Sequence, residues 1–227
     1  MKKMLAIVLM TMSLLVTSTT YAAGSTSSKP AQAVSSQKST SNNIKNNIFN
    51  LSDQQIKNAI AIGTQDYDRF VDFEDSQKLS IDEDKLGVWQ PRVFLSTPYH
   101  TIAGISFVKS YKYDGLSFEE AKKFAKFYRS PDILEFEIEA LGDSINFADV
   151  VRVELIQGDK VYKPLELSID EEASNSKFWP NSPAYRNDVK AKFDIKKIDL
   201  SKEAKLVYMY SGKKMSVTYK VDFSKIK

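Results

Sequence analysis

The sequence predicts an α+β protein in which short N-terminal helices pack on a C-terminal antiparallel β-sandwich. Three observations carry that expectation. Residues 134–140 alternate strictly, with Leu134, Phe136, Ile138 and Ala140 separated by Glu135, Glu137 and Glu139. In a strand that spacing gives one apolar face and one carboxylate face. The same alternation returns in several runs toward the C-terminus, as expected of strands that are each wet on one side, whereas helix-start signals cluster before Pro131.

A chain of 227 residues suits one domain, or one domain with a small second one. Hydrophobic residues at 42% and aromatics at 11% suffice for a core, so the chain as a whole is not of the disordered class. The formal charge of +3 is unevenly spread: from residue 50 onward 27 basic side chains face 29 acidic ones. That balance argues against a nucleic-acid partner. Cysteine is absent, which excludes disulfides, thiol chemistry, cysteine-ligated zinc and lipid attachment through an N-terminal cysteine.

Residues 1–22 read as a Sec-type signal peptide. Lys2 and Lys3 form a charged start, residues 5–16 are apolar apart from Thr11 and Ser13, and Thr20 and Ala22 place small residues at both recognition positions of a cleavage site. The apolar run is shorter than the ~20 residues of a membrane span. The expectation is therefore export to a periplasmic or extracellular space, with no transmembrane anchor after signal cleavage. Residues 23–47 are rich in Ser, Thr, Asn, Gln, Ala and Lys without hydrophobic period, and read as a disordered polar linker. The alternative is a cationic arm toward an anionic envelope surface, for which only Lys29, Lys38 and Lys45 supply charge.

Residues 48–131 are expected to form a helical N-terminal region. Ser52 and Gln55 make a capping box, Leu51 and Ile56 a hydrophobic staple, and Ile56, Ala59 and Ile60 a helical stripe ending near Gly63. Residues 65–85 are polar and acidic and predict an irregular segment or a short strand. Residues 88–95 suit a strand, which Pro91 confines to an edge or divides. Residues 99–113 read both ways, alternating as a strand does and apolar on every side as a helix; Thr97-Pro98 as cap and first turn, with Gly115 as a stop, favours the helix. Ser117 and Glu120 form a second capping box, and Phe118, Ala121, Phe124, Ala125 and Tyr128 share one helical face up to Pro131.

Residues 132–227 carry the β pattern. Strands are expected at 134–140, 150–156, 160–169, 189–195, 206–210 and 215–223, with hairpins at Gly158-Asp159 and Ser211-Gly212. Six or seven short strands, each with one wet face, resemble an immunoglobulin-like β-sandwich. In that arrangement 134–140 neighbours 189–195 in antiparallel pairing, which sets Glu135, Glu137 and Glu139 beside Lys190 and Lys192.

The candidate binding residues are Trp179, Tyr185 and Arg186, in a loop stiffened by Pro180 and Pro183, together with Trp89. Stiff loops on a rigid sandwich lose little entropy on binding. The competing reading has Trp179 and Tyr185 folding back to close one end of the core. His100, the only histidine, beside a helix start reads as structural rather than catalytic. A metal site there would need Asp82, Glu83 or Asp84, at no recognised ligand spacing. The acids Asp72, Glu74, Asp75, Asp82 and Asp84 lack the pattern and central glycine of a calcium loop and read as a solvated face. No G-x-S-x-G, phosphate-loop or H-E-x-x-H motif occurs.

These readings favour an exported, non-catalytic interaction or structural module acting on a protein or cell-envelope component, with no cofactor and no metal implied. A small-molecule or glycan binder using the loop aromatics is the alternative. A hydrolase, working through His100 or a carboxylate pair whose convergence is spatial, is the second.

Overall fold

Alternating side chains sort this chain into two sheets. The computed structural model describes residues 31–83, 87–127, 132–210 and 215–227. Among them, α1 (Ala31–Phe49), α2 (Asp53–Gly63) and α3 (Tyr67–Gln77) are followed by β1 (Ser80–Glu83), β2 (Arg92–Leu95), α4 (Pro98–Tyr111) and α5 (Phe118–Phe127). Then come β3 (Ile133–Gly142), β4 (Val151–Gln157), β5 (Lys160–Tyr162), β6 (Glu166–Ile169), β7 (Ser174–Asn175), β8 (Tyr185–Asp194), β9 (Ala204–Tyr210) and β10 (Met215–Val221). Sheet A runs β1-β10-β9-β4-β5 and sheet B runs β2-β3-β8-β6, with β7 also paired to β8; every pairing is antiparallel. No helix among the described residues is long and apolar enough to cross a membrane.

The strict alternation in β3 does what its spacing dictates. Every second side chain from Leu134 to Ala140 is buried, and the glutamates between them are half-buried. Phe136, Phe193 and Tyr219 are each at most 1% exposed, and they join the inner faces of both sheets in one core. Burying an aromatic of this size contributes about 1.5–3 kcal/mol. Phe136 and Phe193 meet edge to face with centroids 5.8 Å apart, a favoured aromatic geometry. The expected β3–β8 pairing is present, with Glu135 opposite Lys192 and Glu137 opposite Lys190.

The helices build a smaller core of Ile56, Ala59, Ile102, Leu116, Ala121 and Ala125. Both expected capping boxes form. Ser52 accepts from Gln55 N–H while the Gln55 side chain accepts from Ser52 N–H, and Ser117 and Glu120 repeat the pattern. The run at 99–113 resolves as helix α4, begun by Thr97 Oγ1 accepting from His100 N–H. Gly63 lets α2 lie directly against α4: a β-carbon there would stand 2.4 Å from the Ala103 carbonyl oxygen.

Several expectations are corrected. The signal peptide at 1–22 and the start of the linker lie outside the described residues. From residue 31 to 47 the expected disordered linker is instead part of α1, which Ile48 and Phe49 anchor in the main core with Ile44 one turn back. The polar segment at 65–85 holds helix α3, capped by Asp66 accepting from Arg69 N–H. Within residues 48–131 the strand expected at 88–95 is present as β2, after Pro91 and at the edge of sheet B, and β1, a short strand at the end of the 65–85 segment, joins sheet A. The single strand expected at 160–169 is two. Pro164, which has no N–H for a ladder, falls between β5 in sheet A and β6 in sheet B. Tyr128, Pro131 and the Ser211-Gly212 turn lie outside the described residues.

Candidate binding cleft

A cleft of about 830 Å3 opens where α3, the segment around residues 87–92, the ends of β3 and β8 and the stretch at 175–178 meet. Register explains its charges. Arg92 on β2 stands opposite Glu139 on β3, and Arg186 on β8 stands opposite Leu141, one outward position farther along β3. Glu139 thus lies between two guanidiniums, its Oε2 being 3.4 Å from Arg92 Nη1 and 3.9 Å from Arg186 Nη1. Arg92 also reaches Asp75 on α3 at 3.4 Å and lies over the Phe94 ring. A hydrogen bond from Lys78 at 2.9 Å, with Arg92 adding to it, holds the Asp75 carboxyl below the usual carboxylate range.

Aromatic packing sets the wall. Phe70 on α3 stacks on Phe107 of α4 with centroids 4.0 Å apart. Tyr67 and Val88 stand exposed at the rim. Glu74 also lines the cleft and bonds to His100 Nε2 at 2.8 Å, while the imidazole stacks on Phe94. Among the described residues no hydroxyl hydrogen-bonds to that ring. The arrangement can present fixed positive charge beside aromatic surface, which suits recognition of an anionic group.

The sequence candidates are not brought together. Arg186 lines the cleft, as does Phe178 next to Trp179 in sequence. Trp179 is 49% exposed, outside the lining, and its ring meets Tyr185 edge to face at 5.4 Å. Tyr185 is half-buried against the main core, and Trp89 is half-buried and stacked on Tyr210. Sequence reasoning missed Arg92 and Lys177, and it read Glu139 only as part of a strand's wet face and Asp75 only as part of a solvated acidic face. The four are far apart along the chain: the β2-β3 register joins Arg92 to Glu139, Asp75 arrives on α3, and Lys177 follows β7, which pairs with β8.

A second hollow of about 360 Å3 is lined by Asp149, Asp170, Glu171 and Glu172 with Asn146 and Asn187. Asn187 is buried; its Nδ2 donates to the Asp170 carbonyl, and its Oδ1 has no partner among the described residues. Asp82 is held by Lys205 at 2.7 Å, His100 is bonded to Glu74, and Asp84 lies outside the described residues. Among the described residues no three His, Asp or Glu side chains are grouped to hold a metal ion. Comparison with protein-family models, curated proteins and solved structures finds no match to this chain.

Proposed function

We propose that this chain is an exported, non-catalytic binding module whose protein or envelope partner docks in the cleft flanked by Arg92 and Arg186. One observation carries the reading. Separate stretches of sequence deliver guanidinium, ammonium and aromatic groups to one open concave mouth on a sheet that the core makes rigid. Export is supported by the charged, apolar and small-residue pattern of residues 1–22. An immunoglobulin-like sandwich is supported by two antiparallel sheets sharing one core, with β1 and β2 as additions from the N-terminal half.

The test is photocrosslinking in the exporting cell, with a photoreactive residue placed at Val88, at Asn175, or at Val161 on β5 of the other sheet. A discrete adduct from the two cleft positions and none from Val161 is expected. No adduct from the cleft, or equal labelling from all three, would overturn the reading.

A second reading, a glycan or small-molecule binder, is favoured by the half-exposed Trp179 ring held edge-on by Tyr185. Quenching of Trp179 fluorescence by simple saccharides, lost in Trp179→Phe, would support it.

A further inference from the structure

We infer that the cleft takes an acidic segment of a partner protein, with one carboxylate seated at Arg186 and Lys177 and an apolar neighbour against Phe178. This rests on the binding-module reading above. The charges lining the cleft are unevenly satisfied. Glu74 is engaged by His100, Asp75 by Lys78 and Arg92, and Glu139 by Arg92 first and Arg186 second. The Arg186 side chain approaches Glu139 only to 3.9 Å, beyond hydrogen-bonding distance, and donates no hydrogen bond among the described residues. Lys177 pairs with no carboxylate among the described residues and lies over the Phe178 ring at 5.1 Å.

A guanidinium carries five N–H donors in a planar fork that matches a carboxylate, so Arg186 has donors to spare for an incoming one. The lining also limits how much negative charge can enter. Among the described residues its four cations, Lys78, Arg92, Lys177 and Arg186, stand against three carboxylates. That single excess suits one acidic side chain, whereas a polyanion would be driven against Glu74, Asp75 and Glu139. Phe178, with Val88 and Tyr67 exposed at the rim, supplies the surface for an apolar neighbour.

The experiment is a titration of the 15N-labelled protein with the blocked peptide acetyl-Phe-Glu-Leu-amide, its Gln counterpart, inorganic phosphate and tripolyphosphate. The Glu peptide is expected to shift amide signals at 175–178 and 185–187. The Gln peptide should bind about tenfold more weakly, a difference of about 1.4 kcal/mol. Arg186→Gln and Lys177→Gln alter surface side chains and should weaken the Glu peptide comparably, with the rest of the spectrum unchanged. No localised shift at about 10 mM peptide, a weakness the affinity scale still resolves, would overturn the inference. So would equal binding of both peptides, or tighter binding of either phosphate probe at the same signals. If the Val88 and Asn175 crosslinks persist while the peptide fails, only the acidic class falls and the binding-module reading stands.

Discussion

Tyr208 and Tyr219 are diagonal neighbours on the buried face of β9 and β10, and among the described residues only Tyr219 of the two has a partner for its hydroxyl. Tyr219 donates to the Pro91 carbonyl at 2.7 Å and accepts from Gln90 Nε2 at 2.7 Å, which ties sheet A to the segment leading into β2. The Tyr208 hydroxyl is buried with no partner among the described residues. Burial pushes both phenols far above their ordinary pKa, so both are neutral at physiological pH. Tyr208→Phe should leave stability unchanged or raise it by about 1 kcal/mol, whereas Tyr219→Phe should lower it by about 1–2 kcal/mol. Urea unfolding at pH 7 separates the two; equal losses would contradict the difference in their surroundings.

Helix α1 gives the second prediction. Ile48 is 1% exposed in the main core, and Ser41 Oγ accepts from Leu200 N–H at 3.1 Å. Ile48→Ala should cost about 2–5 kcal/mol, the range for truncating a buried aliphatic residue. Ser41→Ala should cost about 1 kcal/mol. A tether that did not dock would show neither loss in denaturant unfolding.

The β3–β8 ladder was legible because one strand carries its apolar set and its acidic set at a period of two, and Lys192 and Lys190 of the other stand opposite Glu135 and Glu137, although Glu139 faces Asp188. Such alternation tolerates no slip, since a one-residue shift would expose the core face. Helix α1 was hidden because its docking rests on Ile44, Ile48 and Phe49 at its end, while the residues before them show no stripe. Helix α3 was hidden by its acidic surface, with only Phe70 buried. Pro164 was the available signal that 160–169 divides between sheets. At the site, Arg186 was visible as a charged residue, although the sequence reading put it in a stiff loop and the structure puts it on β8. Its relation to Arg92 and Glu139 was not, because it exists only across neighbouring strands.

Glu135 makes the pH prediction. Its carboxylate lies 3.9 Å from Lys192 Nζ, which bonds Glu166 more closely at 3.0 Å. Burial raises the Glu135 pKa above the ordinary 4.5, with Glu137 adding to it and Lys192 opposing. The hydrogen bond from Lys192 lowers that of Glu166. An acid with a raised folded pKa binds more protons folded than unfolded, so its contribution to stability falls as pH rises through that raised value; a lowered one behaves oppositely. Relative to the unmodified protein, Glu135→Gln should therefore gain in urea midpoint from about pH 4 to about pH 7, and Glu166→Gln should lose over the same interval. Identical pH trends for the two variants would contradict the assignment.

Tyr113 ends α4 in the left-handed region, at φ 59°. The N–H of Asp114 bonds the Lys109 carbonyl at 2.9 Å, and that of Tyr113 bonds the Ser110 carbonyl at 3.0 Å, the paired bonds of a Schellman ending. Glycine usually fills this position, and Gly115, the stop suggested by the sequence, lies two residues farther on. The Tyr113 ring is fully exposed and returns no burial for the strain. A β-carbon in this conformation costs about 1–2 kcal/mol, partly offset in a glycine variant by its freer unfolded chain. Tyr113→Gly should thus stabilise by about 0.5–1 kcal/mol and raise the melting temperature by about 1–4 °C. A variant that melts lower would show that the ring makes a stabilising contact this geometry does not contain.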